Sequence, residues 1–140
     1  MPRPRQRKAW IVDASVVLKW FLPVEREPDG ELARTTIGRL SMRTTTLASY
    51  EVGNILIRHS GWTASDVAAA LGLIRRTCGE PIELTAKDEL RAATLALEHG
   101  LTFYDASYVA VAERTRRRLL SADDDLLGPG LAVALRGASA

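Results

Sequence analysis

AWIVDAS, residues 9–15, is the stretch whose reading decides the fold. Ala9, Trp10, Ile11 and Val12 form an unbroken apolar run that Asp13 stops. Such a run reads as a short buried strand. SVVLKWFL (15–22) continues as one or two helical turns and ends near Pro23, which cannot extend a helix. A buried strand turning straight into a helix is the opening unit of an α/β domain.

Outward from this unit the alternation repeats. EREPDGE (25–31) is a loop. ELARTTIGRLS (31–41) predicts a helix with Leu32, Ile37 and Leu40 inward, and the β-branched RTTTL (43–47) a short strand. ASYEVGNILIRHS (48–60) predicts a helix stopped by Gly61. TASDVAAALGLIRRT (63–77) predicts a helix capped by Thr63 and ended at Cys78-Gly79. PIEL (81–84) is a short strand, and Thr85 caps a helix over 86–100 that Gly100 stops. YDASYVAVAERTRR (104–117) is a helix, RLLSA (118–122) a strand and GLAVAL (130–135) a last strand. Strands separated by helices predict a mainly parallel sheet covered on both faces. In such sheets functional groups gather past the carboxyl ends of the strands, near the point where strand order reverses.

With 140 residues the chain suits one domain, and 46% hydrophobic with 26% charged residues is ordinary for a globular protein. No apolar run approaches the ~20 residues that cross a bilayer, so no membrane role is expected. The lone Cys78 cannot form an internal disulfide, which fits a reducing cytoplasm. The net charge of +2 is a property of the start: without Arg3, Arg5, Arg7 and Lys8, 15 basic residues face 17 acidic ones. We therefore divide the chain into a flexible basic tail (1–8), one domain (9–135) and a C-terminal tail (136–140). The basic tail is either a solubilising extension or a phosphate-binding arm.

The chemistry lies in the acids. Asp13 follows the first strand, and Asp123 stands in the same relation to the strand in RLLSA. Asp105 begins an apolar helix. Asp13 and Asp105 could each simply cap a helix. Glu51 shares a helical face with Leu47 and Ile55 that should point inward, where an unpaired carboxylate is costly. Asn54 on that face could hydrogen-bond it; an ion pair with Arg58 or Arg39 is the competing reading. Together the four carboxylates fall at one end of one sheet. Two of them ~5 Å apart repel by roughly 3 kcal/mol at an effective dielectric of about 20, so four need a cation. An all-oxygen donor set suits Mg²⁺ or Mn²⁺. His59 and His99 are isolated at helix ends, which disfavours zinc.

IVDASVVLKWFLP (11–23), ASYEVGNIL (48–56), LTFYDASYVAVAE (101–113) and LLSADDDLL (119–127) resemble, in order, the four acidic motifs of PIN-domain nucleases, most closely the VapC-type toxins of toxin–antitoxin pairs. The resemblance covers residues 10–127. It implies a three-layer α/β/α sandwich and a Mg²⁺- or Mn²⁺-dependent endoribonuclease acting on RNA, commonly of the tRNA or rRNA class. It also implies a homodimer and a small antitoxin that blocks the site. Asp13, Glu51, Asp105 and Asp123 match the acidic motif positions, Ser15 and Ser121 the hydroxyl positions that line such sites, and Asp125 a second aspartate that some members carry. Asp124 departs from the basic or variable residue usual there. Asp13 and Asp105 are the expected direct metal ligands, with Asp123 completing the shell and Glu51 holding a second metal or orienting water.

Two further expectations concern neighbours of the motifs. Side chains alternate on an extended segment, so Asp123 and Asp125 should point into the pocket and Asp124 to solvent. Arg114, Arg116, Arg117 and Arg118 fall on the order of 13–20 Å from Asp105 at ~1.5 Å per residue. They either reach flanking RNA phosphates or form a solvated run at a helix C-terminus. A phosphorylation-switched receiver domain, also α/β, would need a lysine beside the acidic pocket, and none of Lys8, Lys19 and Lys87 follows a late strand. A catalytically silent PIN-like binding module is the other rival, against which all four acidic positions are filled.

Overall fold

The computed structural model describes residues 9–23, 25, 27–59 and 61–139. The basic tail 1–8, with Arg3, Arg5, Arg7 and Lys8, lies outside the described residues. In chain order the elements are β1 (Ala9–Val12), α1 (Ala14–Lys19), α2 (Gly30–Thr35), β2 (Ser41–Arg43), α3 (Thr46–Arg58), α4 (Ala64–Cys78), α5 (Ala86–His99), α6 (Phe103–Arg114), β3 (Arg118–Leu120) and α7 (Asp124–Leu127). A 3-10 turn, Leu135–Gly137, follows.

The strands form one parallel sheet in the order β2-β1-β3. Its middle strand explains the unbroken apolar run. Successive side chains of a strand face opposite ways. Trp10 and Val12 enter one core with Val16 and Val17 of α1, Val52 and Leu56 of α3 and Ile74 of α4. Ile11 enters a second core with Leu95 of α5 and Tyr108, Val109 and Val111 of α6. β3 divides likewise, Leu120 to the first core and Leu119 to the second. Burying one Val, Leu or Ile side chain is worth about 1.5–3 kcal/mol, so both faces demand apolar residues and the layers are α/β/α.

Helix boundaries follow cap chemistry where the caps are strong. Thr63 with Asp66 and Thr85 with Asp88 form reciprocal capping boxes at α4 and α5. Gly100 ends α5 in the left-handed conformation, φ 66°. Elsewhere the structure corrects the expected elements. The helix expected over 31–41 stops at Thr35, and Gly38 turns the chain at φ 79°. The strand expected at 43–47 lies two residues earlier, because Thr45 caps α3 and residues 46–47 are already helical. Residues 81–84 and 130–135 contribute only single parallel bridges, Thr45–Ile82 and Leu120–Val133, on the sheet's two flanks. Residues 136–139, set apart from the domain on sequence, lie against it: Ala138 packs on the first core and Trp10 Nε1 donates to the Ser139 carbonyl at 3.3 Å.

β1 is central: the chain runs from it to β2 on one side and then crosses over to β3 on the other. The crevice past the carboxyl ends of β1 and β3 is thus the switch point at which α/β sheets bind ligands.

Candidate active site

Asp13 ends β1 and caps α1. It is only 2% exposed. Its Oδ1 accepts from the Ser15 hydroxyl at 2.6 Å and the Val16 N–H at 3.2 Å, and its Oδ2 accepts from the Ser121 hydroxyl at 2.5 Å. The serines also tie the two strand ends together: Ser15 Oγ accepts from Ala122 N–H at 2.9 Å, and Ser121 Oγ from Asp123 N–H at 3.0 Å. Burial holds the Asp13 carboxyl above its ordinary range despite these donors, and the Asp123 charge adds to it. A carboxylate has about four acceptor sites. Three are used here, so one lone pair on Oδ2 remains.

Glu51 sits at the margin of α3, half-buried; the fully buried face is Ala48, Val52, Gly53 and Leu56. Its partner is neither Asn54 nor an arginine. Tyr108, on α6, donates its phenol to Glu51 Oε1 at 3.1 Å. The Tyr108 phenol oxygen in turn accepts a backbone hydrogen bond from Ala14, beside Asp13. The Glu51 carboxyl is raised by burial first, lowered by the Tyr108 bond, and raised again by the Asp13 charge. Tyr108 escaped the sequence reading, though a tyrosine three residues after Asp105 in an apolar helix has a hydroxyl that must find a partner once buried.

Asp105 does not cap its helix. Thr102 caps α6, with its hydroxyl accepting from Asp105 N–H at 3.1 Å, and Asp105 occupies the first turn. Its pKa is pushed up to about 7, by burial first, then by the charge and hydrogen-bonding contact of Asp123, then by Asp13 and Glu51. Asp123, Asp13 and Glu51 thus all bear on Asp105 across the crevice. Asp123 caps α7, and its Oδ1 accepts from Asp125 N–H at 2.9 Å. Residues 124–127 are helical, so the alternation expected of an extended segment does not apply; the turn itself carries Asp125 back beside Asp123. Carboxylate oxygens of Asp105, Asp123 and Asp125 lie within 4.8 Å of one another. Asp124 is exposed.

The cluster has no cationic partner: among the described residues no salt bridge involves Asp13, Glu51, Asp105, Asp123 or Asp125. Among the described residues, Lys19 of α1 is spent on Glu27 at 3.2 Å and the Pro28 carbonyl at 2.7 Å, so it does not supply the lysine that a receiver domain would need beside the acids. Cys78 is buried, its thiol pushed up to about 12, and is no nucleophile. Asn54 is exposed and makes no hydrogen bond to Glu51. The arginine run lies at the other end of α6. Arg114 binds Asp88 at 2.9 Å and the Glu83 carbonyl at 3.3 Å. Arg118 covers the Trp10 ring, its guanidinium 5.2 Å from the centroid, at the start of β3. Arg117 Nη1 turns back to the Thr115 carbonyl, and Arg116 is exposed with φ 54°.

An α/β/α sandwich with a purely carboxylate pocket at its switch point defines a class of acid-cluster domains fitted to hard cations. The family description PIN domain matches residues 10–128, and the chain belongs to the PIN-domain family. It is 35% identical over 120 residues to Ribonuclease VapC3 of Pyrobaculum aerophilum, covering 83% of this chain and 90% of that protein. The crystal structure of PAE2754 from the same organism superposes with a TM-score of 0.68 at 26% identity, over 92% of this chain and 85% of that one. A toxin–antitoxin complex from Klebsiella pneumoniae matches in fold, TM-score 0.70 at 16% identity, over 89% and 96% of the two chains.

Proposed function

We propose that this chain is a Mg²⁺- or Mn²⁺-dependent endoribonuclease, the toxin of a toxin–antitoxin pair. One observation carries the reading: the oxygens of Asp105, Asp123 and Asp125 converge within 4.8 Å with no salt bridge to them among the described residues, and two further carboxylates bear on Asp105. Their kinship with a protein named as a ribonuclease supports RNA as the substrate. Asp105 and Asp123 would hold the cation, with Asp125 beside them and the free lone pair of Asp13 Oδ2 completing the set. A cation bound there lowers the pKa of water and offsets charge on the attacked phosphate.

The chain's own groups do the rest. Ser15, Ser121 and Val16 N–H fix the Asp13 carboxylate, and Asp13 in turn locks the β1 and β3 ends into register. Tyr108 occupies Glu51 Oε1 and leaves Oε2 to take a proton from the attacking water. Water oxygen bonds to phosphorus, the bond to the 3′ oxygen breaks, and that oxygen takes a proton from solvent water and leaves as a hydroxyl, with phosphate retained on the 5′ side. A tRNA or rRNA target, homodimerisation and an antitoxin that covers the pocket belong to the same proposal; the structural likeness to a toxin–antitoxin complex supports the last. Arg116 and the basic tail are the proposed contacts to flanking phosphates.

Purified protein incubated with a circular RNA in EDTA, Mg²⁺ or Mn²⁺ tests this reading. Cleavage of the circle in either metal, its loss in EDTA and its loss in Asp105→Asn are expected. Cleavage that survives EDTA overturns it.

A further inference from the structure

We infer that the hollow bordered by Tyr50, Asn54 and Tyr104 is a nucleobase subsite that seats one unpaired base of the RNA beside the scissile phosphate. The inference rests on the ribonuclease reading. It begins from two aromatic side chains where burial would be expected: Tyr50 is 71% and Tyr104 59% exposed. Scattered surface apolar residues need no explanation, but these two frame one cavity of about 430 Å³ with Leu47, Glu51, Asn54 and Ile55. Residues 47, 50, 51, 54 and 55 fall on one face of α3, at helical spacings of three and four. Tyr104 closes the hollow from the first turn of α6. Similar hollows flank Trp62, but none of their lining residues belongs to the acidic cluster.

The lining has the chemistry of base recognition. Half-buried Leu47 and Ile55 supply an apolar floor. Two tyrosine rings supply stacking faces, which take any base and are worth a large share of single-strand affinity. Asn54 is exposed and carries a donor and an acceptor side by side, the pattern that reads a base edge. The position links the hollow to the chemistry. Glu51 is at once a lining residue and a member of the carboxylate cluster, and Tyr104 directly precedes Asp105. A phosphate at the carboxylates would leave an adjoining base within reach of the rings. Single-stranded or looped RNA fits, because only an unstacked base can enter.

The test uses full-length protein and fluorescein-labelled single-stranded 12-mers of A, C, G or U. Binding is measured in Ca²⁺, a hard cation for carboxylate sites, and cleavage in Mn²⁺. Tyr50→Ala and Tyr104→Ala should each weaken binding by roughly 5- to 150-fold with an unchanged salt slope, since no phosphate contact is lost. Tyr50→Phe and Tyr104→Phe should bind like the parent. Asn54→Ala should flatten the preference among the four oligomers. Parental affinity in both alanine variants overturns the subsite while leaving the nuclease reading intact. So does a shift from dimer to monomer at unchanged affinity per protomer, which would make the hollow a contact between copies. A parent that cleaves no RNA in Mn²⁺ defeats the ribonuclease reading and the subsite with it.

Discussion

The two ends of α6 treat charge in opposite ways. At its C-terminal end Arg114 meets Asp88, a carboxylate 2% exposed, at 2.9 Å. There the acid is neutralised by a neighbour and doubles as the reciprocal cap of α5. At its N-terminal end, among the described residues, the charged groups that act on Asp105 are all acids. The helix dipole favours a negative charge in the first turn by about 0.3–1 kcal/mol, yet burial and Asp123, Asp13 and Glu51 outweigh it and push the pKa to about 7. A buried acid with a guanidinium partner is part of the scaffold. A cluster of acids without one is the arrangement on which the proposed cation site rests.

The sharpest way to break this contrast is to neutralise one acid at each end. Asp105→Asn should lower RNA cleavage by about three orders of magnitude while the metal-free protein melts no lower than the parent, because repulsion is removed. Asp88→Asn should do the reverse. Weakening the pair with Arg114, whose side chain is 38% exposed, and the reciprocal cap of α5 should cost about 1–2 kcal/mol of stability, with near-parental activity per folded molecule. Equal stability losses in both variants would erase the distinction.

The contrast should also appear in pH dependence. Asp105 is raised in the folded state, so the fold binds its proton more tightly than the unfolded chain does. Its contribution to stability is complete below about pH 4 and is lost as pH rises through about 7. Metal-free protein should therefore lose stability over that window, and Mn²⁺ affinity should rise over it. Denaturant melts in EDTA and in Mn²⁺ at half-unit pH steps check both trends. A metal-free stability that climbs from pH 4 to 7 would show Asp105 to be paired after all.

Tyr108→Phe gives a smaller effect. It removes the donor to Glu51 but keeps the ring in the second core. About tenfold slower cleavage with roughly 1 kcal/mol lost stability is expected, and RNA affinity should stay unchanged. Near the bottom of the scale, Asp125→Ala should weaken Mn²⁺ binding modestly. Asp124→Lys should leave it unaltered and tighten RNA binding slightly. If Asp124→Lys proves the more damaging to metal binding, the assignment of the α7 turn is wrong.

The sequence exposed the fold through β1, because a strand buried on both faces must be apolar at every position. It also placed Asp13 and Asp123 after strands and Glu51 on a helix, since strand ends and helical faces are local features. It missed what depends on packing between distant segments. The clamp on Asp13 joins residues 106 and 108 positions apart in contact with Ser121. The Tyr108–Glu51 bond spans 57 positions. Thr45 illustrates a different failure: β-branched residues read as strand, but a cap position overrode that preference. Asp123 and Asp125 do fall together with Asp124 exposed, but through a helical turn rather than strand alternation, because a four-residue helix is too short to show periodicity. The arginines near position 116 looked like one patch, yet Arg114 and Arg118 are drawn to Asp88 and Trp10 by contacts no local pattern reveals.

The central claim, that the unpaired acids form a cation site, is tested most directly by titrating Mn²⁺ into chelator-treated protein at pH 7.5 and following thermal unfolding. At a hundredfold excess over Kd one bound ion stabilises by about 2.7 kcal/mol, a rise of several degrees in Tm. The parent and Asp88→Asn should both show this rise, and Asp105→Asn should not. A parent Tm that ignores Mn²⁺, or a rise that survives Asp105→Asn intact, would contradict the account.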